Sequence, residues 1–567
     1  MINQPAWQYP RVDEGSVNSL SRNLNIHPVT AEILVRRGFK RANEANFFLR
    51  PNESASLNPR NMKGMGAVRE RIIKAVSNKE RITIYGDYDA DGIPGTALLY
   101  NFLRQAGAKI DYLIPQREDG YGLSIDSVNR IAERGTNLII TIDCGSSDHE
   151  AIKHAQRKGM EVVVTDHHLT LKGPPPTPYF INPHRSDRES YAFNDLCGCG
   201  VAYKLVQALS TRDHEPALYD LLAVSTVCDQ VTLVEENRFY VKAALTRLHE
   251  RAKGNIGLRA IADTAGVALH TLTEHQIAFR IGPRINAMGR MQGDPNTVVE
   301  LLTTDNHGRA DQIAKELSRH NRARQEFTDE LATEAFRSLD RGRVPDFIVS
   351  YLPEATVGVA GLIASKITER YNRPTLVVNS EGRGSGRAPR GMEIMPYMEQ
   401  LKNRGVFGSP RRLKSGDTVI PDFGGHAGAC GLHNVDVDKL RSEASRLSVP
   451  RAQLEASMSI EGTIRLEEVN ASLAQQMELL SPFGIGNPEP LIAINNLEIT
   501  SASATRDGRH LQLSLRDGAV ERRAFLRGAG EQLNKLPKRA DVAGVPGMSD
   551  FSGEPELRLV GLRPAGR

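Results

Sequence analysis

The sequence predicts an α/β fold in which two α/β domains are joined by a long helix and followed by a small antiparallel β-barrel. Apolar strands alternate with helical segments in residues 65–304 and again in residues 341–455. A polar helical pattern without proline fills residues 305–339, and runs beyond residue 490 alternate with period two. We therefore predict a cap segment 1–64, a first domain 65–304, a linker helix 305–340, a second domain 341–455 and a barrel domain 456–567.

The bulk composition is that of a multidomain protein without a membrane span. The 567 residues are too many for one core, and 40% hydrophobic with 25% charged residues is ordinary for a globular chain. A net charge of +4 is compatible with a polyanionic ligand but does not establish one. Five cysteines, no secretory signal and no run of about 20 apolar residues indicate a cytoplasmic protein with reduced thiols.

The N-terminal segment shows one clear helical pattern. Pro28 to Arg37 predicts a short helix, with Thr30 as its N-cap. We expect residues 1–64 to cap the first domain.

The first domain predicts a mostly parallel sheet. A buried strand at Ile82 to Tyr85 precedes a helix from Ile93 to Gln105, and further strands are predicted at Asp111 to Pro115, Asn137 to Asp143 and Glu161 to Asp166. In such sheets, ligands bind at the carboxyl ends of the strands.

Three of these strands end in acidic residues. A fourth apolar run, Leu218 to Val227, is either a helix or a strand and also ends in an aspartate. The alternative to a binding site is an acidic turn that only faces solvent. That alternative explains any one of these ends, but such a turn would have to recur independently at the carboxyl end of three strands. Convergence on a metal site is therefore favoured. The acids are Asp87, Asp89, Asp91, Asp143, Asp166 and Asp229.

The residue types at these ends favour hard cations. Carboxylates with one imidazole, His167, suit Mn²⁺ or Mg²⁺. Two such cations roughly 3.5–4 Å apart would activate a water and stabilise a leaving oxygen in phosphoester hydrolysis. We expect Asp143 to bridge them and Asp87 to orient the other ligands or bind weakly. His167 and His168 should diverge on an extended segment, with His167 on metal and His168 towards a phosphate.

Glycine-rich and arginine-rich segments predict a wall that faces phosphate groups. The segment RIGPRINAMGR, which contains Arg280, Arg284 and Arg290, predicts a shaped loop, although ordinary surface charge is the alternative. GRGSGRAPR (382–390) and DFGGHAGACGL (422–432) predict two glycine-rich loops.

The C-terminal runs predict an OB-like barrel. They follow a turn-rich hinge, SPFGIGNPEP, and OB-folds often bind single strands. Aromatic residues are sparse, so an arginine surface is favoured over base stacking within this domain. Its members are Arg506, Arg509, Arg522, Arg523 and Arg527.

These motifs resemble a known family. GDYDADG, TIDCG, TDHH and VCDQV, in that order, resemble the four motifs of the DHH phosphoesterase superfamily. RIGPRINAMGR, GSGR and FGGHAGACGL resemble signatures of its RecJ branch, and PFGIGNPEP resembles the entry to the RecJ OB-like domain. The resemblance implies a DHH catalytic domain at 65–304 and a DHHA1 domain at 341–455.

The resemblance also implies a function. It implies a 5′→3′ exonuclease that degrades single-stranded DNA to mononucleotides with two Mn²⁺ or Mg²⁺ ions, in recombination and repair. It further implies a monomer that works with single-strand-binding protein and a RecQ-type helicase. The implied metal ligands are Asp87, Asp89, Asp91, Asp143, His167 and Asp229, with His168 as a further catalytic residue. The implied phosphate and DNA contacts are Arg117, Tyr121, Arg280, Arg284, Asn286, Arg290, Ser385, Arg387, Gly425 and His426.

Two other functions fit parts of the sequence. A DHH-type phosphoesterase acting on short oligonucleotides or cyclic dinucleotides would share the metal motifs, but the C-terminal β pattern argues against it. A non-catalytic DNA-binding scaffold with the same fold would not need the intact acids.

Overall fold

The computed structural model describes residues 5–170, 172–185, 191–212, 215–250, 254–408, 422–549 and 552–566. The N-terminal segment consists of one strand and three helices. They are β1 (Ala6–Gln8), α1 (Glu14–Leu24), α2 (Pro28–Arg36) and α3 (Ala42–Leu49).

This segment packs mainly on the C-terminal barrel. Leu20, Ile33 and Leu49 share one hydrophobic core with barrel residues, and β1 pairs in parallel with residues 457–459. Only its last part, including Ala55 and Met62, enters the core of the first domain. The expectation that residues 1–64 cap the first domain therefore accounts for that last part alone.

The predicted N-cap of α2 is wrong. The helix begins at Pro28, and the Nδ1 atom of His27 accepts a hydrogen bond from the Val29 N–H at 3.2 Å. Proline at the first helical position explains why the N-cap is His27 and not Thr30, because proline has no N–H to satisfy and its φ already suits a helix.

The first domain contains a parallel sheet covered by helices on both faces. Its strands are β2 (Arg81–Gly86), β3 (Lys109–Leu113), β4 (Leu138–Ile142), β5 (Glu161–Thr165) and β6 (Phe180–Ile181), in the order β3-β2-β4-β5-β6. Its main helices are α4 (Met65–Ser77), α5 (Gly92–Gln105), α6 (Ile125–Glu133), α7 (His149–Arg157), α8 (Gly198–Leu209), α9 (Tyr219–Cys228), α10 (Glu235–His249) and α11 (Ile256–Thr264). The predicted parallel strands are confirmed, and the open choice at residues 218–227 is resolved as helix α9.

The arginine-rich segment after α11 is helical, so its prediction as a loop is wrong. A five-residue π-helical stretch (Ile277–Ile281) links short helices, and Pro283 occupies the first turn of the next one. Proline is compatible with the first turn of a helix, so the Gly282–Pro283 pair does not mark a loop here. The helices are α12 (Glu274–Gln276), α13 (Gly282–Ile285), α14 (Ala287–Arg290) and α15 (Asn296–Thr303).

A 33-residue helix, α16 (His307–Leu339), leads from the first domain to the second. In the described part of the chain, no helix combines the length and apolarity needed to cross a membrane. The elements of the second domain are β7 (Ile348–Tyr351), α17 (Val357–Tyr371), β8 (Thr375–Val378), β9 (Gly384–Arg387), α18 (Met395–Asn403), β10 (Phe423–His426), β11 (Ala429–Leu432), α19 (Val437–Ala444) and α20 (Arg451–Leu454). Its strands form a five-stranded sheet in the order β10-β11-β9-β8-β7.

Both glycine-rich segments of the second domain form strands, which corrects their prediction as loops. β9 pairs with β8 and β11, and β10 with β11, all antiparallel. A Cβ at Gly384 would lie 2.1 Å from the Val377 carbonyl oxygen. A Cβ at Gly386 would lie 2.6 Å from the Cys430 sulfur. Here glycine allows elements to approach closely instead of marking a turn.

The C-terminal strands close into a barrel, as predicted. β16 (Val520–Leu526) and β18 (Pro555–Pro564) pair in parallel. The other barrel pairings of the five strands are antiparallel, including the pair of β14 (Ile492–Ala504) with β17 (Arg539–Met548) that closes the barrel. The alternating runs predicted from the sequence correspond to β14, β15 (Leu511–Asp517), β16 and β18, whereas β17 was not predicted because its sequence, RADVAGVPGM, contains glycine and proline. The elements are β12 (Ser457–Ser459), β13 (Gly462–Thr463), α21 (Ala471–Leu480), β14 (Ile492–Ala504), β15 (Leu511–Asp517), β16 (Val520–Leu526), β17 (Arg539–Met548) and β18 (Pro555–Pro564).

Arg238 on α10 fastens the barrel domain to the first domain. Its side chain is 1% exposed and its guanidinium lies 3.9 Å from the centre of the Phe48 ring. It donates hydrogen bonds to the carbonyl groups of Phe48 and of all four residues 479–482. Lys242, one turn further along, donates to the carbonyls of Leu49 and Leu479. The two cations thus satisfy the carbonyl end of α21.

Replacing Arg238 with methionine should therefore destabilise the protein by about 3 kcal/mol or more, because it leaves several buried carbonyls without donors. Urea unfolding followed by tryptophan fluorescence and circular dichroism measures the effect. Arg41→Ala is the control, since the Arg41 side chain is 78% exposed and should change stability by less than about 0.5 kcal/mol. Equal losses in the two variants would contradict this role for Arg238.

Candidate metal centre

The strand-end acids meet at one edge of the parallel sheet. Asp87 follows β2, Asp143 follows β4 and Asp166 follows β5, and these three strands are direct neighbours. All three side chains are at most 4% exposed. The convergence predicted from the sequence is therefore confirmed.

Backbone N–H groups hold Asp91 in place. Its two carboxylate oxygens accept hydrogen bonds from Gly198 at 2.6 Å and Cys199 at 2.8 Å, in the first turn of α8. The positive end of the helix dipole favours a carboxylate at this position. Glycine is required at 198, because a Cβ there would lie 2.5 Å from the Cβ of Asp143.

Asp89 and Asn286 shape the turn that carries the acids. One Asp89 carboxylate oxygen accepts a hydrogen bond from the Asp91 N–H at 2.8 Å. The Asn286 side-chain oxygen accepts one from the Ala90 N–H at 2.9 Å. Asn286 was expected to contact DNA, and the structure shows it supporting this turn.

Asp143 has an unusual backbone conformation. Its φ is 63°, in the left-handed region that few non-glycine residues adopt. The Tyr121 hydroxyl donates a hydrogen bond to its carbonyl oxygen at 2.8 Å and lies 2.8 Å from Nδ1 of His168. Tyr121 therefore positions two residues of the centre, whereas the sequence only implied a substrate contact.

The two histidines face the same centre. Nε2 of His167 lies 3.2 Å from Asp143 Oδ1 and 3.7 Å from Asp229 Oδ2. Nδ1 of His168 lies 2.9 Å from Asp166 Oδ1. The centres of the His167 and His168 rings are 4.5 Å apart. The expected divergence of the histidines is wrong, because Asp166 accepts hydrogen bonds from both of their backbone N–H groups and tightens the turn.

The donor set fits divalent cations. Within the described residues, three groups have ligand atoms within 4.8 Å of one another; they are Asp143/His167/His168, Asp91/His167/Asp229 and Asp87/Asp89/Asp143. Oδ1 of Asp87, Oδ1 of Asp143 and Nε2 of His167 are buried without a hydrogen-bond partner. Buried polar atoms rarely lack partners, so these three are poised for ligands.

Burial and charge shift the pKa values of these groups. Burial first, and then repulsion by neighbouring aspartates, raises the pKa of Asp87, Asp143 and Asp229 well above the ordinary range. The same causes raise the pKa of Asp91 to about 6. Burial also lowers the pKa of His167 to about 4, so its ring is neutral and can offer a lone pair.

Three arginines from different parts of the chain lie near one another, and the charges of two of them, Arg117 and Arg290, interact with the neighbouring acids. The Arg117 guanidinium lies 4.4 Å from the centre of the Tyr88 ring. Arg290 donates to the Gly358 carbonyl at the start of α17. Burial first, and then the charges of Arg117 and Arg324, lowers the pKa of Arg290 to about 9. Arg324 was missed because a charged residue in a long polar helix is expected to be exposed.

The second domain contributes one more positively charged side chain, Arg387. The Arg387 guanidinium donates to the Ser385 hydroxyl at 3.0 Å, on strand β9. A Cβ at Gly361 would lie 2.8 Å from this guanidinium, so Arg387 packs closely on α17. Gly425 and His426 lie on the exposed strand β10.

Two arginines expected to bind substrate contact other protein groups. Arg280 donates to the Ala265 carbonyl at 2.8 Å. Arg284 donates to the Ser318 hydroxyl at 3.1 Å and to the Arg280 carbonyl.

Comparisons with known proteins identify the family. Residues 81–226 match the model of the DHH family, N-terminal domain, and residues 460–561 match the RecJ OB domain. The chain is 33% identical to the single-stranded-DNA-specific exonuclease RecJ of Escherichia coli, over 82% of each chain. This chain belongs to the RecJ family.

Other RecJ proteins extend the comparison. The chain is 32% identical to the Bacillus subtilis RecJ over 91% of this chain but 65% of that longer relative. The structure of RecJ from Thermus thermophilus in complex with Mn²⁺ superimposes with a TM-score of 0.82 at 28% identity, covering 100% of this chain and 81% of that one. The same Thermus protein also has a structure in complex with Mg²⁺.

The acid cluster predicts how stability depends on pH. A raised carboxyl pKa means that the folded state binds the proton more tightly, so stability falls as pH rises through the shifted range. In chelator, Asp91 alone should lower the free energy of unfolding between pH 4 and 6 by about 3 kcal/mol. Asp87, Asp143 and Asp229 act in the same direction, whereas the lowered pKa of His167 acts in the opposite direction and offsets part of this loss.

Urea unfolding between pH 4 and 7, with EDTA or with Mn²⁺, measures this dependence in the wild type and in Asp143→Asn. In EDTA, Asp143→Asn should lose less stability than the wild type as the pH rises, because one repelling charge is gone. Mn²⁺ should reduce the loss in the wild type, because the cation neutralises the acids. An Asp143→Asn variant that loses as much stability as the wild type in EDTA would contradict the assignment.

Proposed function

We propose that this protein is a metal-dependent 5′→3′ exonuclease that degrades single-stranded DNA to mononucleotides in recombination and repair. One observation carries the proposal: unpartnered ligand atoms of a buried acid cluster lie beside a group of arginines from both α/β domains. Hard cations can activate the water and stabilise the leaving oxygen in phosphodiester hydrolysis, and guanidiniums bind phosphate oxygens.

Each residue of the centre has a proposed role. Two Mn²⁺ or Mg²⁺ ions would be held by Asp87, Asp89, Asp91, Asp143, His167 and Asp229. When bound, they supply the positive charge that activates a water and stabilises the leaving oxygen. His168, held by Asp166 and Tyr121, would donate a hydrogen bond to the phosphate under attack.

The arginines would set the 5′→3′ direction of digestion. Arg117, Ser385 and Arg387 are proposed to bind a terminal 5′ phosphate, with Arg290 between them and the metal ligands. Arg387 and Arg290 belong to different domains, and Arg290 contacts the start of α17. A terminal phosphate held here would place the next phosphodiester at the acid cluster. The supporting contacts of Arg280, Arg284 and Asn286 leave them an indirect role.

The wider setting is also a proposal. We expect a cytoplasmic monomer that receives DNA ends from a RecQ-type helicase and acts with single-strand-binding protein. The domain boundaries stated from the sequence remain predictions. A phosphoesterase limited to dinucleotides is less well supported, since it would have no use for the barrel beside the site.

Digestion of end-labelled strands tests the activity. A 5′-labelled single strand in Mn²⁺ should release labelled mononucleotide at once, and a 3′-labelled one only after near-complete digestion. Asp143→Ala should lower kcat by at least about 10³-fold, because it removes a carboxylate that belongs to two of the three ligand groups. Duplex of the same sequence is the control. Release from the 3′ end, or activity on dinucleotides alone, would contradict the proposal.

Arg387→Ala tests the terminal phosphate pocket. It should raise KM for a 5′-phosphorylated strand by about 10- to 100-fold, since one charge-assisted contact is lost. A strand with a 5′ hydroxyl should be affected much less. Arg390→Ala is the matched control, because Arg390 is exposed three residues further along. An equal rise in KM for the 5′-phosphorylated and 5′-hydroxyl strands, or a change in Mn²⁺ affinity measured by calorimetry, would contradict this role for Arg387.

A further inference from the structure

Tyr121 lies at the tip of a loop that has little stiffness of its own. The loop, residues 116–123, leads from β3 to α6, and the glycines on either side of Tyr121 have φ angles of 93° and 90°. Glycine adopts such angles at no steric cost but loses more conformational freedom than other residues when it is ordered. Tyr121 is 50% exposed, so packing alone does not fix its ring. Its hydroxyl nevertheless lies 2.8 Å from both the Asp143 carbonyl oxygen and Nδ1 of His168.

The peptide group that follows Tyr121 by one residue is held on both sides. Its carbonyl, that of Gly122, accepts a hydrogen bond at 2.9 Å from the hydroxyl of Tyr85, a fully buried residue of β2. Its N–H, that of Leu123, donates to Oδ2 of Asp148 at 2.6 Å. A Cβ on Gly122 would lie 2.6 Å from Asp148 Oδ1, so the carboxylate packs directly on the loop. Tyr85 and Asp148 therefore fix the direction in which the chain leaves Tyr121.

The Asp148 carboxylate serves this loop and not its own helix. Asp148 is the N-cap residue of α7, where an aspartate usually accepts a hydrogen bond from an N–H of the first helical turn. Here the side chain makes no such bond. Burial first, and to a lesser extent the charge of Asp166, raises the pKa of Asp148 to about 7, so the carboxyl group is poorly hydrated. Helix capping therefore does not account for this side chain, whereas the contact with the loop does.

The start of the loop has separate supports. The Asn296 side chain on α15 accepts a hydrogen bond from the Ile114 N–H at 2.8 Å and donates one to the Ile114 carbonyl at 3.0 Å. The Arg117 guanidinium packs on the Tyr88 ring. Neither contact involves Asp148, so a change at Asp148 should act on the end of the loop and leave Arg117 in place.

We propose that Asp148 is a positioning residue of the metal centre, which holds the 122–123 peptide group so that the Tyr121 hydroxyl stays against His168 and the Asp143 carbonyl. This inference rests on the proposed function, in which His168 contacts the phosphate under attack. Without the Asp148 contact, Tyr121 would move between its two glycines, and His168 would lose one of the two groups that orient its ring. A misplacement of about 1 Å at a reacting group can cost about 100-fold in rate.

Kinetics on single strands distinguish positioning from binding. Asp148→Ala should lower kcat by about 10- to 100-fold and leave KM for a 5′-phosphorylated strand unchanged, because His168 loses its orientation while Arg117 keeps its supports. Asp148→Asn should restore kcat, since the amide oxygen can still accept from the Leu123 N–H. Mn²⁺ affinity measured by calorimetry should be the same in both variants as in the wild type. Asp126→Ala is the control, because Asp126 is an exposed aspartate on the neighbouring helix α6.

A double-mutant cycle identifies the residue through which Asp148 acts. Tyr121→Phe should lower kcat by a similar factor, and adding Asp148→Ala to it should cause no further loss, because both changes remove the same contact. Gly122→Ala displaces the carboxylate from the other side and should give the same loss, which tests the contact independently if Asp148→Ala does not fold. A crystal structure of Asp148→Ala should show the Tyr121 hydroxyl out of hydrogen-bonding distance of His168.

Four results would overturn the inference. They are additive losses in the cycle, wild-type kcat in Asp148→Ala, a KM that rises as kcat falls, and a Tyr121 hydroxyl that stays 2.8 Å from His168 in the crystal structure of Asp148→Ala. If the proposed function itself is wrong, the wild-type protein will release no mononucleotide from single strands, and the crystal structure of Asp148→Ala still tests the contact.

Discussion

The repulsion among buried carboxylates is the constraint on which the centre of this protein depends. Asp87, Asp91 and Asp143 are almost completely buried. Besides burial, Asp89 raises the pKa of Asp87 and Asp91, and both of these together with Asp89 raise the pKa of Asp143. Burying several like charges opposes folding unless cations or protons neutralise them. The unpartnered oxygens and the neutral His167 ring are what a pair of divalent cations would complete. The site therefore lowers the stability of the metal-free fold for the sake of metal binding.

The protein holds these acids with backbone groups, and its arginines lie to one side. Asp91 accepts from two N–H groups at the start of α8, and Asp166 accepts from Ser146, His167 and His168. A neighbouring arginine in direct contact would neutralise an acid and compete with a metal ion. Backbone N–H groups orient the carboxylate while leaving most of its charge available. The arginines instead surround Arg290, where they repel one another and favour an anionic ligand.

The acids of the centre were predictable from the sequence because a parallel sheet follows local rules. An apolar run that ends in aspartate at several successive strands places those aspartates at one edge. The N-cap of α2 and the direction of the two histidines were wrong because of local contacts, by His27 and by Asp166. The other errors arose where contacts distant in sequence decide the structure. Gly384 and Gly386 lie in strands because the neighbouring strands of the same sheet approach them closely. The segment 277–290 is helical because it packs on α9 and α16. Arg324 could not be separated from other helix charges, since its neighbours Arg284 and Arg290 lie over thirty residues away.

The position of the barrel relative to the metal centre follows from a short, packed connection. Three residues beyond Asp229, Thr232 begins a segment that lies against the turn at 484–486, where Leu233 donates to the Ile485 carbonyl at 2.8 Å. Glycine is needed on that turn, because a Cβ at Gly484 would lie 2.8 Å from the Leu233 side chain. Arg238 and Lys242 secure the residues just before it. Packed contacts, not a flexible linker, therefore set the position of the barrel relative to the acid cluster.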